Sequence, residues 1–348
     1  MLSIEVNSLP IAEIFGDISK AFGTDFTESC GEYYIDIPKH LGKGNIRGID
    51  FDGGMGIVQY DCLFKTNVEF QFTVNEVHPL KFLYCLEGLL EHRFEDEDEI
   101  HKITQYQEAI VASNFFNGHI LHFSASEHTV VNSLEITRSV FQEKIKCDLV
   151  TMNDNLQNLF NDVHAEKTFY HDGFYSLELA DLFREMQSFE GEDFLRKLFL
   201  EGKAYQMLTK QILLFEDDLA DVDKRTILRR SEVTQIGKAV QLINEEIESL
   251  DNIDQIAYKV GINANKLQEG FQNLYGLTVN QFIQRVRLNL IKDMVLNTDY
   301  SISEIVHMVG LSSKSYLSKI FREEYGTSPS EYRRHFLDSL NKKRKLDK

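Results

Sequence analysis

Residues 309–334, which read VGLSSKSYLSKIFREEYGTSPSEYRR, concentrate side chains that could hydrogen-bond to DNA. Lysine can pair with guanine N7 and O6, and serine can hydrogen-bond to several bases. A related stretch begins at Val260 and reads VGINANKLQEGFQNLYGLTVNQFIQ. It offers asparagine and glutamine, which suit adenine. Both stretches therefore indicate a surface that could read base edges.

Fixed points recur between these two stretches at a nearly constant offset. The offset is 49 for the first shared positions and 50 after one inserted residue. The matched pairs are Ile256 with Ile305, Val260 with Val309, Gly261 with Gly310, Leu267 with Leu317, Phe271 with Phe321, Tyr275 with Tyr325, Gly276 with Gly326, and Phe282 with Tyr332. Agreement at this many positions indicates a duplicated structural unit.

Each copy is expected to fold as a helix, a turn and a second helix. Capping-box spacing opens the two first helices, at Asn252 with Gln255 and at Ser301 with Glu304. Gly261 and Gly310 follow, where the chain must turn and a residue tolerant of positive φ is needed. Asn263 and Ser313 are then expected to cap the second helices. This pattern is typical of a helix-turn-helix, whose second helix enters the major groove.

A long helix is expected between the two copies. Thr278 and Gln281 form another capping box, and the segment that follows allows a helix of about 20 residues, or roughly 30 Å. One turn of DNA is about 34 Å long, so this helix could hold two recognition helices in successive major grooves. A further helix is expected to start at Ser328, with Pro329 in its first position and Glu331 completing the box.

Ten residues on the outward faces of the two second helices are the candidate base-reading set. In the second copy they are Lys314, Ser315, Ser318, Lys319 and Arg322, and in the first copy Asn265, Lys266, Gln268, Glu269 and Gln272. Glu269 is unusual because phosphates repel a carboxylate unless it accepts from a cytosine amino group. The alternative interpretation of every one of these residues is a solvated helix face.

Four arginines are candidates for phosphate contacts, which add affinity without sequence information. They are Arg285, Arg287, Arg333 and Arg334, and one or two of them are expected to form salt bridges within the protein instead.

Residues 231–334 resemble the AraC/XylS DNA-binding domain, which has two helix-turn-helix units joined by a long helix. The second unit, SISEIVHMVGLSSKSYLSKIFREEYGTSPSEYRR, follows the family pattern most closely. Val306, Leu311 and Leu317 replace Ala, Phe and Phe of that pattern and are apolar exchanges. The resemblance implies operator binding, with an N-terminal domain of barrel type that senses a signal or dimerises. Residues 199–219, FLEGKAYQMLTKQILLFEDDL, also resemble the interdomain helix of siderophore-responsive regulators.

The expected fold class is multidomain α+β. Short segments rich in Val, Phe and Tyr predict strands up to about residue 145, and residues near 60–125 are compatible with a cupin-like β-barrel. Helical spacing follows Cys147. An apolar stripe there is expected to pack within the subunit or in a dimer: Ala204, Leu208, Ile212, Phe215 and Leu219. The expected domains are 1–146 for sensing or dimerisation, a helical interdomain region at 147–224, and a DNA-binding domain at 225–348 with units at 252–275 and 301–325.

Charge is distributed unevenly in this acidic chain, whose formal net charge is −18. From Arg225 onward, 19 Lys and Arg face 15 Asp and Glu, a net of +4, which leaves −22 for the rest. This asymmetry indicates an anionic partner for the C-terminal part. The sequence shows neither a long apolar segment nor a secretion signal, so a cytoplasmic protein with buried, reduced thiols at Cys30, Cys62, Cys85 and Cys147 is expected.

An enzyme is not expected, because no phosphate loop or nucleophile motif occurs. Histidines in the strand-rich part lack the spacing of a metal-binding cupin, so neither metal nor cofactor is expected and the histidines are expected to be hydrogen-bonded or exposed. They are His78, His92, His101, His119, His122 and His128. The predicted function is a DNA-binding transcription regulator, with a homodimer and RNA polymerase as expected partners. A small-molecule effector and an N-terminal domain that binds a protein or only dimerises both remain open, as do activation and repression.

Overall fold

The computed structural model describes residues 1–7, 10–72, 77–145, 149, 152–220, 230–250 and 252–346. The chain divides into two compact units, Met1–Arg225 and Thr226–Lys348. The interdomain segment 221–229 and Cys147 lie outside the described residues, as do the side chains of the basic C-terminal end.

Thirteen strands are described in the first unit, and all the strand segments expected from the sequence are among them. They are β1 Leu2–Val6, β2 Thr27–Ser29, β3 Glu32–Asp36, β4 Gly42–Phe51, β5 Met55–Phe64, β6 Val68–Phe72, β7 Leu80–Glu87, β8 Leu89–Phe94, β9 His101–Thr104, β10 Gln107–Ala112, β11 His119–Phe123, β12 His128–Ile136 and β13 Phe169–Tyr175.

These strands form two sheets. The smaller has five strands in the order β1-β6-β11-β8-β9, and the larger has eight in the order β13-β10-β7-β12-β5-β4-β3-β2. Strands β1 and β6 pair in parallel, whereas the other described pairs are antiparallel. Aromatic side chains such as Tyr60, Phe64, Phe70 and Phe123 fill a shared core, in which their rings contact one another. Neither sheet closes on itself within the described residues.

The helices of the first unit are α1 Ile11–Phe22, α2 Arg138–Ile145, α3 Asp154–Asn161, α4 Leu177–Ser188 and α5 Asp193–Ala220. Two elements depart from the sequence-based expectation. Helix α1 lies in the part expected to be mostly strands, and its buried residues recur at helical spacing, Ile11, Ile14, Phe15, Ile18 and Phe22. Strand β13 lies in the region expected to be helical, because it pairs with the edge strand β10. The strand conformation of this segment is set by pairing with a distant strand, which the local spacing of apolar residues does not reveal.

The apolar stripe on α5 packs largely within this unit. Ala204, Leu208 and Phe215 are buried, and the Phe215 ring lies 6.2 Å from Phe169 and 4.6 Å from His171 on β13. Ile212 and Leu219 are half-buried. Of the two alternatives for this stripe, packing within one subunit is therefore the arrangement found for its buried members.

The second unit contains seven helices in the described residues. They are α6 Arg230–Glu245, α7 Ile253–Val260, α8 Ala264–Tyr275, α9 Val279–Asn297, α10 Ile302–Met308, α11 Lys314–Tyr325 and α12 Pro329–Leu346. Helix α9 is the expected connecting helix, with 19 residues. Helix α6 packs on α8 at Gly270, where an added Cβ would lie 1.8 Å from Ile236 Cδ1. The bare backbone of Gly270 therefore sets how closely these helices approach.

Helix ends in the second unit follow the predicted capping residues. Full capping boxes form at Thr278 with Gln281 and at Ser301 with Glu304. Asn252 accepts from the backbone of Gln255, but a reciprocal bond from the Gln255 side chain is not found among the described contacts. The turn in the second copy depends on Gly310, which has a φ of 66° and whose added Cβ would lie 2.4 Å from the carbonyl oxygen of Glu248. Glycine is needed there for both backbone conformation and space.

None of the described helices is long and apolar enough to cross a membrane. Cys62 and Cys85 are buried and form no disulfide among the described residues, as expected, and burial raises the pKa of the Cys62 thiol well above its usual value. Cys30 likewise forms no disulfide there but is exposed, which corrects the expectation of a buried thiol. It lies in the tight turn between β2 and β3 with a φ of 53°.

Candidate nucleic-acid interface

Helix α11 presents a basic face that its buried face holds in place. Ser313 accepts a hydrogen bond from the backbone of Tyr316 and starts the helix, while Leu317, Ile320 and Phe321 anchor it in the core. Five residues of the candidate set lie on the opposite side: Lys314, Ser315, Lys319 and Arg322 are exposed and Ser318 is half-buried. Lys319 lies 3.9 Å from Glu323, and both side chains are more than half exposed. Such an exposed pair adds little stability, so Lys319 can exchange it for DNA at small cost.

The matching face of α8 is less basic and more engaged within the protein. Asn265, Glu269 and Gln272 are exposed, but Lys266 forms an ion pair with Glu232 on α6. The side-chain oxygen of Gln268 accepts a hydrogen bond from the backbone nitrogen of Val279 at 3.4 Å, at the first residue of α9. Two of the five candidates in the first copy therefore already bind other parts of the unit.

The four candidate arginines divide by their surroundings. Arg285 and Arg334 are exposed. Arg333 donates to the backbone carbonyl oxygens of Val295 at 2.9 Å and Tyr300 at 2.6 Å, and so binds the C-terminal end of α9. It thereby satisfies carbonyls that a helix end leaves without partners. A phosphate contact from Arg333 would have to break these bonds.

Arg287 is half-buried beside Tyr316 on α11. Burial lowers the pKa of its guanidinium from the usual value, and its Nε has no hydrogen-bond partner in the described part of the chain. A buried donor without a partner is costly. Among the four arginines, only Arg287 has such a donor in the described residues.

Tyr316, which is not one of the candidate site residues, is an exposed aromatic side chain on α11. It lies directly before the buried Leu317 and three residues before Lys319, which places it on the edge of the basic face. The position of Tyr316 relative to Leu317 and Lys319 can be read from the sequence, so the sequence alone could have placed Tyr316 at the edge of the basic face.

The histidines of the first unit differ from the expectation in two cases. His122 lies 3.4 Å from Glu69 and His128 lies 2.7 Å from Asp61, as expected for hydrogen-bonded or exposed residues. His92 and His119, by contrast, are 0% exposed, and both nitrogens of each lack a hydrogen-bond partner in the described residues. Burial lowers the pKa of His92 to about 3 and the pKa of His119 well below its usual value. The expectation was wrong for these two because it rested on sequence spacing, whereas separate strands bring the rings together.

Comparison with known proteins identifies both parts of the chain. Residues 43–225, more than half of the chain, match the family described as the regulatory protein PchR N-terminal domain. Residues 256–335 match a helix-turn-helix domain of AraC type. The chain is an AraC family regulator. This confirms the resemblance to the AraC/XylS family seen in the sequence.

Several known proteins resemble parts of this AraC family regulator. The Msm operon regulatory protein of Streptococcus mutans is 27% identical over 138 residues, which are 40% of this chain and 48% of that protein. The xylose operon regulatory protein of Escherichia coli is 33% identical over 81 residues, 23% of this chain and 21% of that protein. The matches with these relatives thus span about half of their length or less.

A solved structure of a transcriptional regulator with an AraC-type DNA-binding domain from Chromobacterium violaceum has 27% identity to this chain. It covers 31% of this chain and 96% of its own, with a TM-score of 0.29.

Proposed function

We propose that this AraC family regulator binds double-stranded operator DNA through two successive major grooves and controls transcription in the cytoplasm. The observation that carries the proposal is the exposed basic face of α11, opposite its buried anchor residues. Family membership and the two relatives named as operon regulatory proteins support it. In a chain of net charge −18, a basic face is most easily understood as complementary to an anionic polymer.

Base contacts come mainly from the second helix-turn-helix copy. Lys314 and Lys319 pair with guanine, while Ser315 and Ser318 adapt to several bases. In the first copy, Asn265 and Gln272 read adenine, and Glu269 accepts from a cytosine amino group. Phosphates are bound by Arg285, Arg287 and Arg334, and these contacts make the affinity salt-dependent.

The first unit acts as the signal-receiving and dimerisation part of the proposed regulator. Its two sheets are proposed to enclose a cupin-like interior that binds a small-molecule effector. A homodimer would place two DNA-binding domains on a repeated operator, which raises affinity through effective concentration. Contact with RNA polymerase would follow at the promoter. The proposed domains are 1–146, 147–224 and 225–348.

The test is to map the genomic sites bound by the full chain and to compare two variants on the recovered sequence. Lys314→Ala combined with Lys319→Ala should lower the affinity for that sequence at least tenfold. Lys238→Ala removes a charge from an exposed position of α6, outside both helix-turn-helix units, and serves as the control. Equal affinity of the double variant and the control, or recovery of no preferred sequence, would contradict the proposal.

A further inference from the structure

Four side chains of the first unit meet in a buried cluster between its two sheets. His92 on β8 lies opposite His101 on β9, and His119 comes from the neighbouring strand β11. Tyr170 on β13 comes from the eight-stranded sheet. The ring centroid of His92 lies 5.6 Å from His119, 5.8 Å from His101 and 5.6 Å from Tyr170. We call these four residues the His–Tyr cluster.

The hydrogen-bonding atoms of this cluster are buried without protein partners. Among the described residues this holds for both ring nitrogens of His92 and His119, for Nε2 of His101 and for the hydroxyl oxygen of Tyr170. Buried polar atoms in native proteins are nearly always hydrogen-bonded, and an isolated exception already needs an explanation. Six such atoms in one place indicate that something else supplies their partners.

Each of the three histidine rings is contacted by an aromatic side chain. Phe72 stacks on the face of His119 with centroids 4.7 Å apart, and Tyr170 stacks on His101 at 3.7 Å. The rings of Phe94 and His92 form a T-shaped contact at 4.9 Å. An occupant that pairs with the ring nitrogens would therefore bind in the plane of the rings, among aromatic side chains.

The charge state of the cluster decides what those bonds are. Burial, together with neighbouring histidines and Lys81, lowers the pKa of His92 and His119, so both rings are neutral near pH 7. Lys81 itself is paired with Glu135. A neutral imidazole has one nitrogen that donates and one that accepts. Hydroxyl groups match this pattern, because each can donate and accept at once.

A metal ion fits the cluster less well. A histidine that binds a metal almost always donates its other N–H to a carboxylate, carbonyl or water, which fixes the ring. Neither His92 nor His119 has such a second partner in the described residues. The searched part of the chain also contains no group of three His, Cys, Asp or Glu side chains arranged to hold a metal ion.

We propose that the His–Tyr cluster binds a small uncharged molecule that carries at least two hydroxyl groups. Such a molecule could be an aromatic diol or an aliphatic polyol, which offer the same hydrogen bonds. The inference rests on the proposed function only in taking this molecule as the effector. Binding itself can be measured without DNA.

The experiment uses the full chain with histidine rings labelled with nitrogen-15, observed by long-range proton–nitrogen NMR. Catechol and erythritol represent the two sources of hydroxyl groups, and veratrole, in which both catechol hydroxyls are methylated, is the matched control. At least one of the diols should shift the ring nitrogens of His92 and His119. Veratrole should bind at least fivefold more weakly, because it cannot donate. A stronger response to catechol than to erythritol would assign the site to aromatic ligands, and the reverse to polyols.

Three variants locate the binding. His92→Phe and His119→Phe keep a ring of similar shape but lose the nitrogens, and each should weaken binding of the active probe about three- to tenfold. His122→Phe changes the same strand on its other face, where His122 pairs with Glu69, and should bind the probe like the unaltered chain. The titration of the unaltered chain remains decisive if a variant fails to fold.

Several results would overturn the inference. One is the absence of any shift with both diols up to their solubility limits. Another is a set of ring nitrogens already hydrogen-bonded to water and not displaced by either probe. A third is a joint response of His92, His101 and His119 to Zn²⁺ alone at micromolar concentration, which would make the cluster a metal site. Operator affinity measured on the same samples separates these failures from failure of the proposed DNA binding, which does not need the cluster.

Discussion

The two helix-turn-helix copies have the same internal packing but differ in the surfaces they present. Each contains a triangle of aromatic rings with centroids 4.5–5.8 Å apart. The rings are Phe271, Tyr275 and Phe282 in the first copy and Phe321, Tyr325 and Tyr332 in the second. On the surface, Lys266 and Gln268 bind neighbouring helices, whereas the lysines of α11 face solvent. Duplication thus preserved the core, where any change of volume is costly, and left the surface free to diverge.

The largest expected difference between the two copies concerns their turn glycines. Gly310→Ala should destabilise the second copy by about 3 kcal/mol or more, because its Cβ would meet the Glu248 carbonyl and its φ is positive. Gly261→Ala is the matched change, with a φ of 76° but its nearest neighbour at 3.6 Å, and should cost about 1 kcal/mol. Urea unfolding of the full chain, followed at backbone amides of each helix-turn-helix copy, measures both losses of stability. Equal losses would show that backbone conformation alone sets the cost.

The next difference concerns DNA affinity. Lys319→Ala should cost about 1–3 kcal/mol of operator binding and relax specificity at one or two base pairs. Lys266→Ala should cost less, because this lysine must first leave Glu232, which is largely buried in the ion pair. Affinity across a library of operator variants measures both changes. If Lys266→Ala lost as much operator affinity as Lys319→Ala, the first helix-turn-helix copy would contribute to DNA binding as strongly as the second.

Two adjacent arginines should separate stability from binding. Arg333→Met removes the bonds to the carbonyls at the end of α9 and should cost about 1–3 kcal/mol of stability. Arg334→Met should leave stability within about 0.5 kcal/mol and reduce the salt dependence of DNA binding by about one ion. Thermal unfolding and binding at several salt concentrations test the pair. The opposite assignment of the two effects would contradict the geometry.

The smallest difference should appear on acidification. The second helix-turn-helix copy caps its helices with Glu304 and Glu331, whereas in the first copy Asn252 accepts from the backbone of Gln255 and Gln281 completes the box at the start of α9. Hydrogen bonds from Ser301 lower the pKa of Glu304, and those from Ser328 lower the pKa of Glu331 to about 2. The contribution of both carboxylates is complete above the ordinary value of 4.5 and is lost below it, for Glu331 as the pH falls toward 2.

Amide signals at Ser301 and Ser328 should therefore weaken in acid before those at Thr278. The double variant Glu304→Gln and Glu331→Gln should remove this order, since glutamine keeps the hydrogen-bonding geometry but does not titrate. An unchanged order in the variant would place the sensitivity elsewhere.

Local rules predicted the helical unit Thr226–Lys348 better than the strand-rich unit Met1–Arg225. Capping residues such as Ser313 and Thr278 act within three residues of themselves, so their effect is visible in the sequence. Strand β13 depends on pairing with the distant strand β10, and the bond between Gln268 and Val279 joins two different helices, so short-range patterns reveal neither. The His–Tyr cluster was hidden for the same reason, because its rings come from four separate strands. The different surroundings of Arg333 and Arg334 likewise depend on the position of α9, which Arg333 contacts and which the sequence does not reveal.

The contact of Gly270 with Ile236 has an evolutionary consequence. The position that corresponds to Gly270 in the second copy is Ile320, which is buried in that unit's own core. If gene conversion copied the α11 sequence onto α8, an isoleucine side chain would occupy the space where even a single Cβ lies 1.8 Å from Ile236. A recombinant of this kind would carry a steric clash between α6 and α8 and would be destabilised. This one steric constraint opposes homogenisation of the repeats and favours independent change of their exposed residues.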